Sequence, residues 1–111
     1  MASEHNEWAC FCAQQSAEKA LKAALYKQGL TSYITHSVTN LLSRAEQLDA
    51  DNFAGLQDDA YRLDQVYVPT RYPNGLAGPT VPGEFYRRQD AEQCAQSARS
   101  ILNACRKFTS K

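Results

Sequence analysis

Between Leu63 and Asn74 the chain sets Leu63, Asp64, Tyr67, Pro69, Arg71, Tyr72, Pro73 and Asn74 into one junction, where a helical pattern gives way to an Arg-Tyr-Pro turn. Arg71 stands two residues after one proline and two before another. Each proline fixes its own φ and pushes the preceding residue out of the α region, so this guanidinium leaves a backbone with little freedom. Arginine is always charged and presents forked donors that match carboxylate and phosphate. The position suits either a buried structural ion pair or an anion-binding pocket.

More arginines gather nearby. Arg62, Arg71, Arg87 and Arg88 surround the junction and the segment after it, and Arg99 and Arg106 follow Arg88 by eleven and then seven residues. Those intervals bring three arginines to nearly one helix face. Beside Tyr72, Phe85 and Tyr86 they form a basic stripe with aromatic neighbours, a combination suited to a nucleotide or single-stranded RNA. The same stripe also fits the wet side of a bundle helix whose Arg stems cover apolar surface. In the first part of the chain, Gln15, Glu18, Lys19 and Lys22 interrupt an apolar pattern, and Glu18 with Lys22 has the spacing of a helical ion pair. His36 can cap a helix or bond a carboxylate.

Other chemistries find no footing. Two distant histidines and four unclustered cysteines make no zinc site, no phosphate-binding Gly-rich motif precedes a helix, and no serine stands in a nucleophile elbow. No metal and no cofactor are implied. Cys94 and Cys105 lie eleven residues apart in a helical pattern, about 16 Å along the axis, too far to bridge. All four cysteines are expected as reduced thiols in a cytoplasmic setting, with Cys94 and Cys105 in the core.

The elements that must carry these residues are helical. Residues 6–28 hold neither Gly nor Pro and are rich in strong helix formers, with Gly29 as the C-terminal stop. Ala13, Ala17, Ala20 and Ala24, widened by Leu21 and Leu25, give a stripe that lets a neighbouring helix come close. Thr35 or Ser37 caps a second helix with Val38, Leu41, Leu42, Ala45 and Leu48 on one face. A third is expected from Asp51 or Asn52 through Phe53, Leu56, Ala60, Leu63 and Tyr67, stopped by Pro69. All four prolines then fall between positions 69 and 83, which predicts one long loop over about 69–86. A last helix runs from Arg87 to Phe108 on Ala91, Cys94, Ala98, Ile101, Cys105 and Phe108. The fold class is all-α, an antiparallel helical bundle with one long Pro/Gly-rich loop before the last helix.

At 111 residues the chain makes one domain, residues 1–111 with a core over about 8–108, and buries about two thirds of its unfolded surface. Formal charge is zero, yet residues 1–60 carry four basic against eight acidic groups and residues 61–111 the reverse. That asymmetry either steers an anionic and a basic partner to opposite faces, a second copy included, or marks two solvated faces. No run of about 18 apolar residues is present, so no membrane segment is expected.

Three blocks in order carry a resemblance: Gln14-Gln15-Ser16-Ala17-Glu18-Lys19-Ala20-Leu21-Lys22, then His36-Ser37 with Leu41, then Leu63-Asp64, Tyr67 and Thr70-Arg71-Tyr72-Pro73-Asn74. Together the sequence resembles a HEPN domain over about residues 8–108. Within that family, Glu4 to Phe11 and the final helix are similar to the sacsin-type version found in a large co-chaperone. The resemblance implies a helical bundle that forms homodimers and holds nucleotides (GTP or ATP) or other polyanions, as part of a larger protein with chaperone-related partners. It matches Arg71 and Tyr72 to signature positions, and with the basic stripe read above the expected ligand residues are Arg71, Tyr72, Arg62, Arg87, Arg88 and Arg99. It matches Gln15, Glu18, Lys19, Lys22, His36, Asp64, Tyr67 and Pro73 to signature positions. Many HEPN proteins are metal-independent ribonucleases with a His four to six residues after an Arg, but both histidines here precede Arg71 and no Arg has that partner. A non-catalytic role is therefore expected. The alternatives are a purely structural dimerisation or docking domain, or a HEPN ribonuclease toxin.

Overall fold

The computed structural model of the protein describes residues 2–29, 35, 37–66 and 87–110, and side chains from Asn6 onward. His36, Tyr67, Arg71, Tyr72, Pro73 and the loop expected over 69–86 lie outside the described residues. All regular structure among the described residues is helical: α1 (Ala2–Lys27), α2 (Val38–Leu48), α3 (Ala50–Phe53), α4 (Gln57–Asp64) and α5 (Arg88–Thr109).

Each boundary has a local cause. Uninterrupted helix formers carry α1 to Lys27. Gly29 then takes φ +88, and its N–H and that of Gln28 bond back to Tyr26 and Leu25, closing the last turn as a left-handed C-cap residue does. Ser37 caps α2, its Oγ accepting from the Asn40 N–H at 3.1 Å. Asp49 ends α2 and caps α3, accepting from Asn52 N–H at 3.3 Å. At the head of α5 the Asp90 carboxylate accepts from the Arg87 N–H at 2.8 Å. This is one half of a capping box, because a guanidinium can only donate.

The expected single third helix is two helices. The chain turns at Ala54-Gly55, with Gly55 at φ +79, and α4 ends at Asp64. The apolar spacing survives the break, since Phe53, Ala60, Leu63 and Val66 are all buried and Leu56 packs at the edge. A period in sequence cannot register a turn that keeps the same side inward.

The core is one cluster. Ala17, Leu21, Ala24 and Leu25 of α1 meet Val38, Leu41, Leu42 and Ala45 of α2, Leu63 of α4, and Ala98, Ile101, Cys105 and Phe108 of α5. Phe53 is fully buried, with its ring 5.4 Å from that of Phe108. Asn52 ties α3 to the same helix through a 2.7 Å bond from Nδ2 to the Ala104 carbonyl.

Cross-links fix the helix directions. Val38 meets Asp64 while Gln57 bonds Glu46, so α4 runs antiparallel to α2. Asn52 meets Ala104 while Asp59 and Arg62 meet Ser97, so α4 also opposes α5. By contrast, α1 and α5 are parallel: Ala9 and Ala13 in the first half of α1 lie with Ala95 and Ala98 in the first half of α5, and at the far ends Lys27 Nζ donates to the Thr109 carbonyl at 2.7 Å. Their pairing is the most extensive in the molecule.

Candidate ligand-binding groove and the polar seams around it

Because α1 and α5 are parallel and lined by small residues, they come close and leave a shallow groove on their outer side. The groove encloses about 420 Å³ and is lined by Ala9, Cys12, Ala13 and Ser16 of α1 and Ala95, Ala98, Arg99 and Leu102 of α5. Arg99 is exposed, and among the described residues no carboxylate pairs with it. Trp8 lies four residues before Cys12, hence on the same side of α1. It is 64% exposed and stacks on Phe11, with centroids 5.3 Å apart and planes at 28°. The ring is thus left largely in water on the α1 side that carries Cys12, outside the groove's own lining.

Three polar seams lie elsewhere in the bundle, and none of their residues lines the groove. The first joins α4 to α2. The Asp64 carboxylate accepts from the Val38 N–H at 2.7 Å, the Thr39 N–H at 3.0 Å and the Ser37 hydroxyl at 2.9 Å. Orphan donors at a helix start and the positive end of its dipole both favour an anion there, and Asp64 supplies it.

The second seam runs along α1. Gln14 is fully buried and Glu18 nearly so. Gln14 Nε2 donates to Glu18 Oε1 at 3.1 Å, Lys22 Nζ donates to Glu18 Oε2 at 2.9 Å, and Gln15 Nε2 donates to Gln14 Oε1 at 2.7 Å. Burying a carboxylate is tolerated only when it is paired and bonded, as this one is.

The third seam lies between α4 and α5. The fully buried Ser97 hydroxyl donates to Asp59 Oδ1 and accepts from Arg62, both at 2.8 Å, while Arg62 and Asp59 stand 3.6 Å apart.

The arginines expected at a ligand site are thus distributed. Arg62 turns into the α4–α5 seam, and Arg87 stands exposed at the head of α5. Arg88 is exposed and lies 3.4 Å from Glu92, and Arg99 lines the groove. Of the signature positions, Gln15, Glu18, Lys22 and Asp64 are held in hydrogen-bonded seams, while Lys19 is exposed. Sequence spacing passed over Gln14, Ser97 and Trp8. Gln14 precedes Glu18 by four and Ser97 adjoins Ala98 on the packing stripe, so their positions pointed inward although their residue types did not. Among the described residues, no cluster of three metal-ligating side chains is present.

The fold and its polar seams describe an all-helical bundle, and comparison with known proteins gives its family. The HEPN domain family matches residues 1–108, and the chain belongs to that family. The chain is 26% identical over 113 residues to the protein named "Putative toxin MJ1304" of Methanocaldococcus jannaschii, covering 96% of this chain and 74% of that one. It is also similar to the crystal structure of ST0689, an archaeal HEPN homologue, with TM-score 0.69 and 36% identity over 96% of this chain and 81% of that one.

Proposed function

We propose that this chain is a non-catalytic HEPN module, acting in the cytoplasm as a homodimer, that binds nucleotides such as GTP or ATP, or other polyanions. The observation that carries the reading is Arg99, paired with no carboxylate among the described residues, in a groove of small residues whose α1 side also carries the exposed Trp8. Phosphate oxygens would take the guanidinium, and a base would take the indole face. Arg71 and Tyr72 are assigned to the same ligand through the family resemblance. Arg88 extends the stripe, and Arg62 and Arg87 border it.

The sacsin-type likeness adds chaperone-related proteins as partners. A calorimetric titration with GTP and ATP at low and physiological salt tests the ligand, with oligomeric mass measured on the same sample. Saturable binding that weakens with salt supports the module. A dimer giving no heat with either nucleotide supports a purely structural docking domain.

A second reading, a ribonuclease, is favoured by the likeness to MJ1304 and opposed by the lack of any Arg followed by His at catalytic HEPN spacing. Cleavage of a fluorogenic RNA by the pure protein, lost in Arg71→Ala, would establish it.

A further inference from the structure

The α1–α5 groove continues toward the C-terminal ends of both helices as a strip of one charge. On α1 its lining residues Cys12 and Ser16 are followed at helical spacing by Lys19, Ala23 and Lys27, all exposed. On α5, Ala95, Arg99 and Leu102 are followed in the same way by the exposed Arg106 and by Thr109. The two rows stay side by side to their ends, because Lys27 Nζ donates to the Thr109 carbonyl at 2.7 Å. Together they make a track about 20 Å long.

Lys19, Lys27, Arg99 and Arg106 stand on this track, and among the described residues none of the four forms a salt bridge. From Cys12 to Lys27 the only acidic residue of α1 is Glu18, which is buried and bonded to Lys22, and from Gln93 to Thr109 α5 has none. At the head of α5, by contrast, Arg88 is paired with Glu92. The uncompensated charge therefore runs from the groove toward the C-terminal ends. Ser16, Ala23 and Ala95 lie between the cations, and side chains that small leave room for a ligand backbone to approach.

A mononucleotide held at Arg99 leaves most of this track uncovered. Arg99 and Arg106 are about 10 Å apart along the helix axis, and a stacked strand advances about 3.4 Å per nucleotide, so about three nucleotides span the two arginines and about six span the track. At the other end of the groove the exposed Trp8 ring can stack only on an unpaired base.

We propose that the α1–α5 face is a track for single-stranded nucleic acid, whose phosphates pass from Arg99 to Arg106 beside Lys19 and Lys27. The inference rests on the groove reading above and extends it from a nucleotide to a strand.

The test is fluorescence anisotropy of labelled oligoadenylates, from the dinucleotide to about twelve nucleotides, with the parent protein, Arg106→Ala and Arg44→Ala, alongside Trp8 quenching by ATP in the same samples. Affinity should climb with length to about six nucleotides and then level, and its salt dependence should steepen over the same range. Arg106→Ala should cost about tenfold on the hexanucleotide and nothing on the dinucleotide. Arg44, exposed on α2 away from the track, should be replaceable without effect on either. Equal affinity for dinucleotide and hexanucleotide, or equal hexanucleotide curves for Arg106→Ala and the parent, would overturn the strand track while quenching by ATP upheld the groove. Failure of ATP and of every strand to bind would overturn both.

Discussion

Asp64 does for the head of α2 what a bound anion does for an open helix terminus. It accepts three hydrogen bonds of 2.7–3.0 Å from one turn of backbone and the capping serine. Removing it leaves two backbone donors without their acceptor, so Asp64→Ala should cost about 3 kcal/mol, read as a lower urea midpoint. Asp64→Asn, which keeps acceptor and shape but loses charge, should fall between the two. Cys105 makes a different prediction. Burial pushes its thiol up to about 12 from an ordinary 9.0. Between those values the folded chain keeps a proton that the unfolded chain releases. The stabilisation is therefore complete below the ordinary thiol range and is lost as pH rises toward 12, with a slope of at most about 1.4 kcal/mol per pH unit. Urea unfolding from neutral to alkaline pH should show a shallower decline in Cys105→Ala than in the parent.

At the scale of elements, the two glycines at φ +88 and +79 set where helices stop. A methyl at either would meet no atom within 4 Å. Any loss in Gly29→Ala or Gly55→Ala is then backbone strain alone, about 1 kcal/mol each, and it should appear as separate, additive drops in melting temperature. Gly29 was readable in advance because a long helix former run ends on it. Gly55 was not, because Phe53, Leu56, Ala60 and Leu63 keep helical spacing through the turn. Ser97 shows the same limit. It sits on the apolar stripe of α5, but only the arrival of Asp59 and Arg62 from α4 explains a buried hydroxyl there. Ser97→Ala should cost about 1 kcal/mol by deleting the buried hydroxyl that joins the half-buried Asp59 to the exposed Arg62, and removing Arg62 in that background should add little.

For the whole molecule, the first, second and last helices, the Gly29 stop and the core faces were legible from period and composition, because each follows from residues within one element. The cap expected at Asp51 or Asn52 is instead Asp49, since the short α3 already starts at Ala50, before its apolar spacing begins. The groove was not legible, since it depends on α1 and α5 running parallel, a direction seen in contacts such as that of Lys27 with the Thr109 carbonyl and carried by no pattern within one helix. Arg99 and Trp8 face solvent, so their removal should change stability by no more than about 0.5 kcal/mol. They are therefore clean probes of binding. Trp8 is also the protein's single tryptophan, so emission comes from one place, the exposed α1 face four residues before the groove residue Cys12. The most direct measurement follows Trp8 fluorescence while ATP or GTP is titrated into the parent protein and into Arg99→Ala at low salt. Saturable quenching in the parent, shifted at least about tenfold to higher nucleotide in Arg99→Ala by loss of a charge-assisted contact, is the predicted result. An unchanged emission in the parent, or identical curves for both proteins, would contradict a nucleotide site in the α1–α5 groove.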